Sequence, residues 1–114
     1  MGESPTFRAL LRLTLTPGLG PVLIERALGM FGDPRDVLCA SAADLARLRG
    51  VGEEKAKRIR AGLEESERLA DKEIVAAERA GVAMLGKGLP GYPALLAGVP
   101  SAPTILYVRG RLDA

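Results

Sequence analysis

Apolar residues return every three or four positions from the start of the chain. Phe7, Leu10, Leu11 and Leu13 mark one face of a first helix, with Ser4 as its N-cap and Pro5 at its first position. This run stops at Thr16-Pro17-Gly18-Leu19-Gly20-Pro21, where two glycines permit left-handed backbone angles. Pro21 starts a second helix, predicted to about Phe31, with Val22, Leu23, Ala27, Leu28 and Met30 available for a core. Gly32-Asp33-Pro34 breaks the chain and caps a short third helix through Val37, Leu38 and Ala40. Ser41-Ala42-Ala43-Asp44 follows the capping-box form, with aspartate where glutamate is commoner, and opens a fourth helix carrying Leu45 and Leu48. After Arg49-Gly50-Val51-Gly52 a fifth helix runs from Glu53 to about Arg60, and Gly62 argues against its continuing unbroken.

From Leu63 to Ala80 the chain is rich in alanine, glutamate and arginine, with Leu69, Ile74, Val75 and Ala77 spaced as one buried face and Gly81 as a C-terminal cap. The character then changes. Val82 to Leu85 is short and apolar, Lys87 to Pro93 is a glycine and proline loop, and Thr104 to Val108 is β-branched and aromatic, so both ends of this segment read as strands. The pattern therefore predicts a mainly α chain of five to six helices followed by a short two-strand α/β fragment. Two strands alone are marginal in water. The sequence is thus expected to be a piece of a longer protein, its tail packing on the helical part or on another copy.

The segments Pro17-Gly18-Leu19-Gly20 and Arg49-Gly50-Val51-Gly52 share one form, glycine, apolar, glycine, each at the joint between two predicted helices; Gly18 to Gly50 and Gly20 to Gly52 are both 32 positions. A tight reversal between packed helices needs glycine where a side chain would clash, while the intervening apolar residue plugs the groove. The same turn leaves the first amides of the following helix pointing outward at the positive end of its dipole, where an anion such as phosphate can bind. This predicts a tandem helix-hairpin-helix, SAM-like domain with candidate DNA-binding residues Gly18, Leu19, Gly20, Gly50, Val51, Gly52, Lys55, Lys57 and Arg58. Contact of this kind reads no bases. Glu53 and Glu54 favour the helix start and repel a phosphate, and Glu54 has the spacing to pair with Arg58.

Composition narrows the chemistry. Only 4% of residues are aromatic and none is tryptophan, so base-stacking platforms are nearly absent. Net charge is +2 with both signs spread through the chain, which gives no strongly basic half. One cysteine, Cys39, and no histidine leave neither a disulfide nor a zinc set; Cys39 sits in an apolar run and is expected in the core. No apolar stretch approaches the ~20 residues of a membrane span and no signal pattern opens the chain, so a cytoplasmic protein without cofactor is expected. No catalytic set is legible either. Asp71 lies about where helix-hairpin-helix glycosylases carry a catalytic aspartate, but Asp71-Lys72-Glu73 lacks the threonine and histidine that usually follow, and Asp71 reads as surface.

Pro17-Gly18-Leu19-Gly20-Pro21, Phe31-Gly32, Ala40-Ser41, Gly50-Val51-Gly52, Gly91-Tyr92-Pro93, Leu95-Leu96, Ala102-Pro103 and Leu106-Tyr107-Val108-Arg109-Gly110 together resemble the N-terminal part of the DNA-processing protein A (DprA/Smf) family. Leu89 departs from the acidic residue that family often carries three positions before its Tyr-Pro. The resemblance implies a helix-hairpin-helix or SAM-like domain over residues 1–66, and over 67–114 a helix and the first strands of a truncated Rossmann-like domain. It further implies single-stranded DNA as a partner, held mainly by the missing domain, and a RecA-type recombinase loaded during natural transformation. A homodimer stays open, as does a protein-interaction or oligomerisation domain that binds no DNA itself. Tyr92 is expected to anchor its loop rather than stack on a base.

Overall fold

The computed structural model describes residues 4–99 and 101–109. Its elements are α1 (Pro5–Thr14), α2 (Pro21–Phe31), α3 (Pro34–Cys39), α4 (Ala42–Ala46), α5 (Gly52–Ala80), β1 (Val82–Gly86), α6 (Ala94–Ala97) and β2 (Ile105–Arg109). Three starts match the local signals. Ser4 Oγ accepts from the Phe7 amide at 3.1 Å, Asp33 Oδ1 from Arg35 at 2.8 Å and Ser41 Oγ from Asp44 at 3.1 Å. Arg35 also donates to the Asp33 carboxylate through its side chain, which holds that carboxyl below its ordinary pKa.

The largest departure from the sequence expectation is α5, one unbroken helix where a break near Gly62 is expected. Strong helix formers on both sides carry it through. Gly62 is there for a tertiary reason: a β-carbon at that position would stand 3.0 Å from Thr16 Cγ2 and 3.2 Å from Pro17 Cδ. The bare backbone lets the first turn lie against α5. The boundary expected between residues 66 and 67 falls inside this helix.

One face of α5, Ala56, Ile59, Leu63, Ser66, Ala70 and Ala77, is buried along its length and joins two apolar clusters. Its first half packs with Leu13, Leu19, Ile24, Ala27, Val37, Leu45, Leu48 and Val51 in the core of the tandem. Farther along, Ala70 packs with Leu10, Leu11 and Ile105, so the strand pair rests on α1 and α5. The tail thus takes its packing from the helical part. β1 and β2 pair antiparallel, with Val82 opposite Arg109 and Gly86 opposite Ile105. Arg12 ties α1 to α5 by donating to Ser66 Oγ at 3.0 Å and to the Leu63 carbonyl at 2.9 Å.

Three core expectations are corrected. Val75, expected on the buried face of the 63–80 stretch, is 44% exposed: it lies about 200° around α5 from Ala77, which with Ala70 marks the inward side. Cys39 is exposed, because α3 turns only Val37 and, just after its end, Ala40 fully inward, and Cys39 lies off that narrow face. On α2 the buried positions are Ile24 and Ala27, while Val22 and Met30 are each 46% exposed. The three-residue step from Ile24 to Ala27 defines the inward stripe, and Val22 and Met30 sit on its flanks.

Candidate functional site

The helices divide into two kinds by their starts. Within the tandem, α1, α3 and α4 are capped by a side chain, whereas α2 and α5, the helices that follow the glycine turns, have Gly20 and Val51 as N-caps and no side-chain cap; outside it the short α6, with Pro93 as N-cap, also lacks one. Gly20, Val22, Gly52, Glu53 and Glu54 are exposed. First-turn amides of both helices are therefore available to an anion at the positive dipole end.

Glycine is required at three of the four turn positions. Gly18 has φ +92°, Gly50 +90° and Gly52 +73°, all in the region that disfavours side chains. Gly20 is different: its φ is −87°, and a β-carbon there would meet nothing within 4 Å. Between the glycines, Leu19 and Val51 are buried in the tandem core. Of the expected contact residues these two can offer only backbone.

The fold places the first turn against the second helix of the other hairpin. Pro17 and Gly18 line a cleft of about 140 Å³ together with Lys55, Arg58 and Ile59 of α5. A β-carbon on Gly18 would stand 3.4 Å from Ile59 Cγ1 and 3.7 Å from Lys55 Cε. Lys55 and Arg58 thus converge on turn one, and among the described residues neither is in an ion pair. Lys57 does not join them. At about 100° per residue it projects roughly 200° around the helix from Lys55, and with Glu53 it borders a separate groove against Ala42, Ala43 and Ala46 of α4.

Arg60 donates to the Ala40 carbonyl and is committed to the joint between α3 and α4. The pairing expected between Glu54 and Arg58 does not form, which leaves Arg58 available. At turn two the nearby cation comes from α2: Arg26 donates through Nη1 to the Arg49 carbonyl at 3.0 Å. Sequence reasoning missed Arg26, although the 32-position offset relates it to Arg58 as it relates Gly18 to Gly50.

The amino end of α2 faces a groove of about 290 Å³. Thr14, Leu19, Gly20, Pro21 and Ile24 form one wall, and Pro103, Thr104 and Ile105, at the entry to β2, form the other. Thr14 Oγ1 is buried there without a partner among the described residues. The strand unit is held beside α2 by Lys87, whose Nζ is 3.1 Å from Glu25 Oε2 and donates to the Val99 carbonyl at 3.1 Å. Tyr92 is buried and donates to the Pro103 carbonyl at 2.6 Å, an anchor for its loop.

Asp71 is an exposed residue paired with Arg8 at 2.6 Å. Among the described residues no group of three or more histidine, cysteine, aspartate or glutamate side chains could hold a metal ion, and no helix is long and apolar enough to cross a membrane.

Comparison with known proteins points the same way as the two turns. Over 69 residues the chain is 41% identical to the DNA integrity scanning protein DisA of Kineococcus radiotolerans. That alignment covers 60% of this chain and 18% of the relative, so the chain spans less than a fifth of that protein's length. No solved structure matches the chain. Residues 7–65, from α1 into α5, match the SAM-like Helix-hairpin-helix tandem family, and the match stops short of the Gly91–Pro93 and Leu106–Gly110 motifs that carry the narrower resemblance to DNA-processing protein A. With both glycine turns, the starts of α2 and α5 and the tandem core inside that match, the chain belongs to the SAM-like helix-hairpin-helix tandem family.

Proposed function

We propose that this chain is a DNA-contacting module that grips the sugar-phosphate backbone and carries no catalysis of its own. The observation that supports it best is the convergence of Lys55 and Arg58 on the Gly18 turn, beside helices whose first-turn amides have no side-chain cap. Amides and cations of this kind neutralise phosphates and leave base edges unread. The relative's name, a DNA integrity scanning protein, agrees with this reading. Net charge of only +2 and Glu53 and Glu54 at the α5 start make the grip weak and salt-sensitive.

A narrower reading is supported by the resemblance to DNA-processing protein A. In it the module serves a longer cytoplasmic protein that holds single-stranded DNA mainly elsewhere and assists a RecA-type recombinase. Tyr92 bracing its loop on the Pro103 carbonyl gives the Tyr-Pro motif a structural place in that reading.

Fluorescence anisotropy with labelled single- and double-stranded oligonucleotides across a salt series tests the backbone reading. Affinity should fall linearly on a logarithmic salt axis, with a slope of about −0.7 (single strand) to −0.9 (duplex) per phosphate neutralised. Lys55→Ala with Arg58→Ala should lower the magnitude of that slope by one to two phosphates' worth, and Lys57→Ala should change it least. A concentration-dependent dimer that ignores DNA at low salt would instead favour the protein-interaction role.

A further inference from the structure

We propose that Arg26, a residue of the first hairpin, is the positioning residue for the phosphate-binding turn of the second. The proposal rests on the backbone-binding reading above. Residues 47–51, which connect α4 to α5, form a chain reversal with little side-chain support. Within it the Leu48 amide donates to the Leu45 carbonyl at 3.0 Å and the Val51 amide to the Leu48 carbonyl at 3.1 Å. Val51, as N-cap of α5, has no side chain able to close the turn.

The Arg49 carbonyl is taken up from outside the hairpin. Arg26 reaches across from α2 and donates to it at 3.0 Å. A β-carbon on Gly50 would stand 3.3 Å from Arg26 Nη1, so glycine at 50 serves both the +90° φ and the approach of this guanidinium. A charged donor on a carbonyl is stronger than a neutral one. It fixes the peptide plane that leads into Gly50 to Gly52, and hence the direction of the α5 amides.

Offsetting the sequence by 32 positions places Arg26 on Arg58, and the comparison separates their roles. The Arg58 side chain lines the cleft at turn one and is in no ion pair with another described residue, so it is available to a phosphate. Arg26 is engaged with turn two. The symmetry of the repeat thus gives each turn an arginine from the other hairpin, one for contact and one for shape.

The test uses the whole chain, with Arg26→Ala and, as a charge control, Arg47→Ala, whose nearest acidic partner, Asp44, is 4.0 Å away. Arg26 is exposed and makes one tertiary hydrogen bond, so folding is retained. In the free protein, Arg26→Ala should speed hydrogen exchange at the Leu48 and Val51 amides while Arg47→Ala leaves them unchanged. With an oligonucleotide, Arg26→Ala should weaken binding about fivefold, the value of one ordinary hydrogen bond, with an unaltered salt slope. Arg26→Lys, which keeps a donor, should restore both exchange and affinity toward those of the parent. Unchanged exchange at Leu48 and Val51, or a salt slope reduced by a full phosphate in Arg26→Ala, overturns the proposal and makes Arg26 a surface cation or a direct contact. The exchange measurement needs no DNA, so a failure of the backbone-binding reading is seen separately, in the parent protein's own titration.

Discussion

Two glycines stand inside helices, and replacing each by alanine should move stability in opposite directions. At an ordinary helix-interior position the exchange stabilises by about 0.8–1.0 kcal/mol through backbone entropy. Gly29 on α2 is such a position, since an added β-carbon meets nothing within 4 Å, although its place in the last turn reduces the gain to about 0.5 kcal/mol. At Gly62 the new methyl would lie 3.0 Å from Thr16 Cγ2 and 3.2 Å from Pro17 Cδ, inside the ~3.5–4.0 Å of a relaxed carbon contact.

Neither neighbour of Gly62 can swing aside. Thr16 is 2% exposed and its hydroxyl donates to the Arg12 carbonyl at 2.7 Å, while the Pro17 ring is fixed to the backbone. Overpacking of this kind costs about 1–3 kcal/mol. After the propensity gain, Gly62→Ala is expected to lose about 1 kcal/mol, or about 4–8 °C in Tm for a domain near this size. Urea unfolding followed by far-ultraviolet circular dichroism, with parent and both variants at one pH, measures the difference. If Gly62→Ala stabilises as much as Gly29→Ala does, the close approach of turn one to α5 is wrong, and so is the cleft that depends on it.

Removing the acids at the α5 start should trade stability for affinity: Glu53→Gln with Glu54→Gln is expected to lose about 0.3–1 kcal/mol per charge and to bind oligonucleotide more tightly at low salt. Unchanged affinity would mean that no phosphate approaches this end. Tyr107 gives an alkaline signature, because partial burial first and then its hydrogen bond to Glu73 Oε2 at 2.7 Å raise its pKa above the ordinary value near 10. The folded state then keeps a proton that the unfolded chain releases, so this contribution is intact below about pH 10 and is lost as pH rises further. Tyr107→Phe should flatten the alkaline decline in urea midpoint, and an equally steep decline would remove Tyr107 as its source.

Much of the tandem is legible in the sequence because its signals are local. A serine or aspartate cap binds an amide two or three residues away, and a glycine with positive φ declares itself by being glycine. Ser4, Asp33, Ser41, Gly18 and Gly50 are read in this way. What escapes is set by residues distant in the chain. Gly62 reads as a helix breaker until Thr16 and Pro17 are seen beside it. Cys39 sits in an apolar run, yet α3 is too short to bury more than a narrow face.

The candidate site shows the same division. Gly18 to Gly20 and Gly50 to Gly52 are recognisable as a repeat, but Lys55, Lys57 and Arg58 form a cluster only along the sequence. Helical rotation already separates Lys57 from the other two, and the cleft at turn one confirms which pair meets it. Arg26 lies 23 residues from the carbonyl it holds, beyond the reach of any local rule. Only the repeat offset points to it.

The central claim, that DNA backbone is held at the two glycine turns, is tested most directly by titrating the isotope-labelled chain with a short oligonucleotide at low salt while following backbone amide shifts. The account predicts that the largest changes gather at Gly18 to Leu23 and at Gly50 to Ala56, and that added salt reverses both sets together. Changes confined to β1 and β2, or none at protein concentrations where binding to oligonucleotide is otherwise detected, would contradict it.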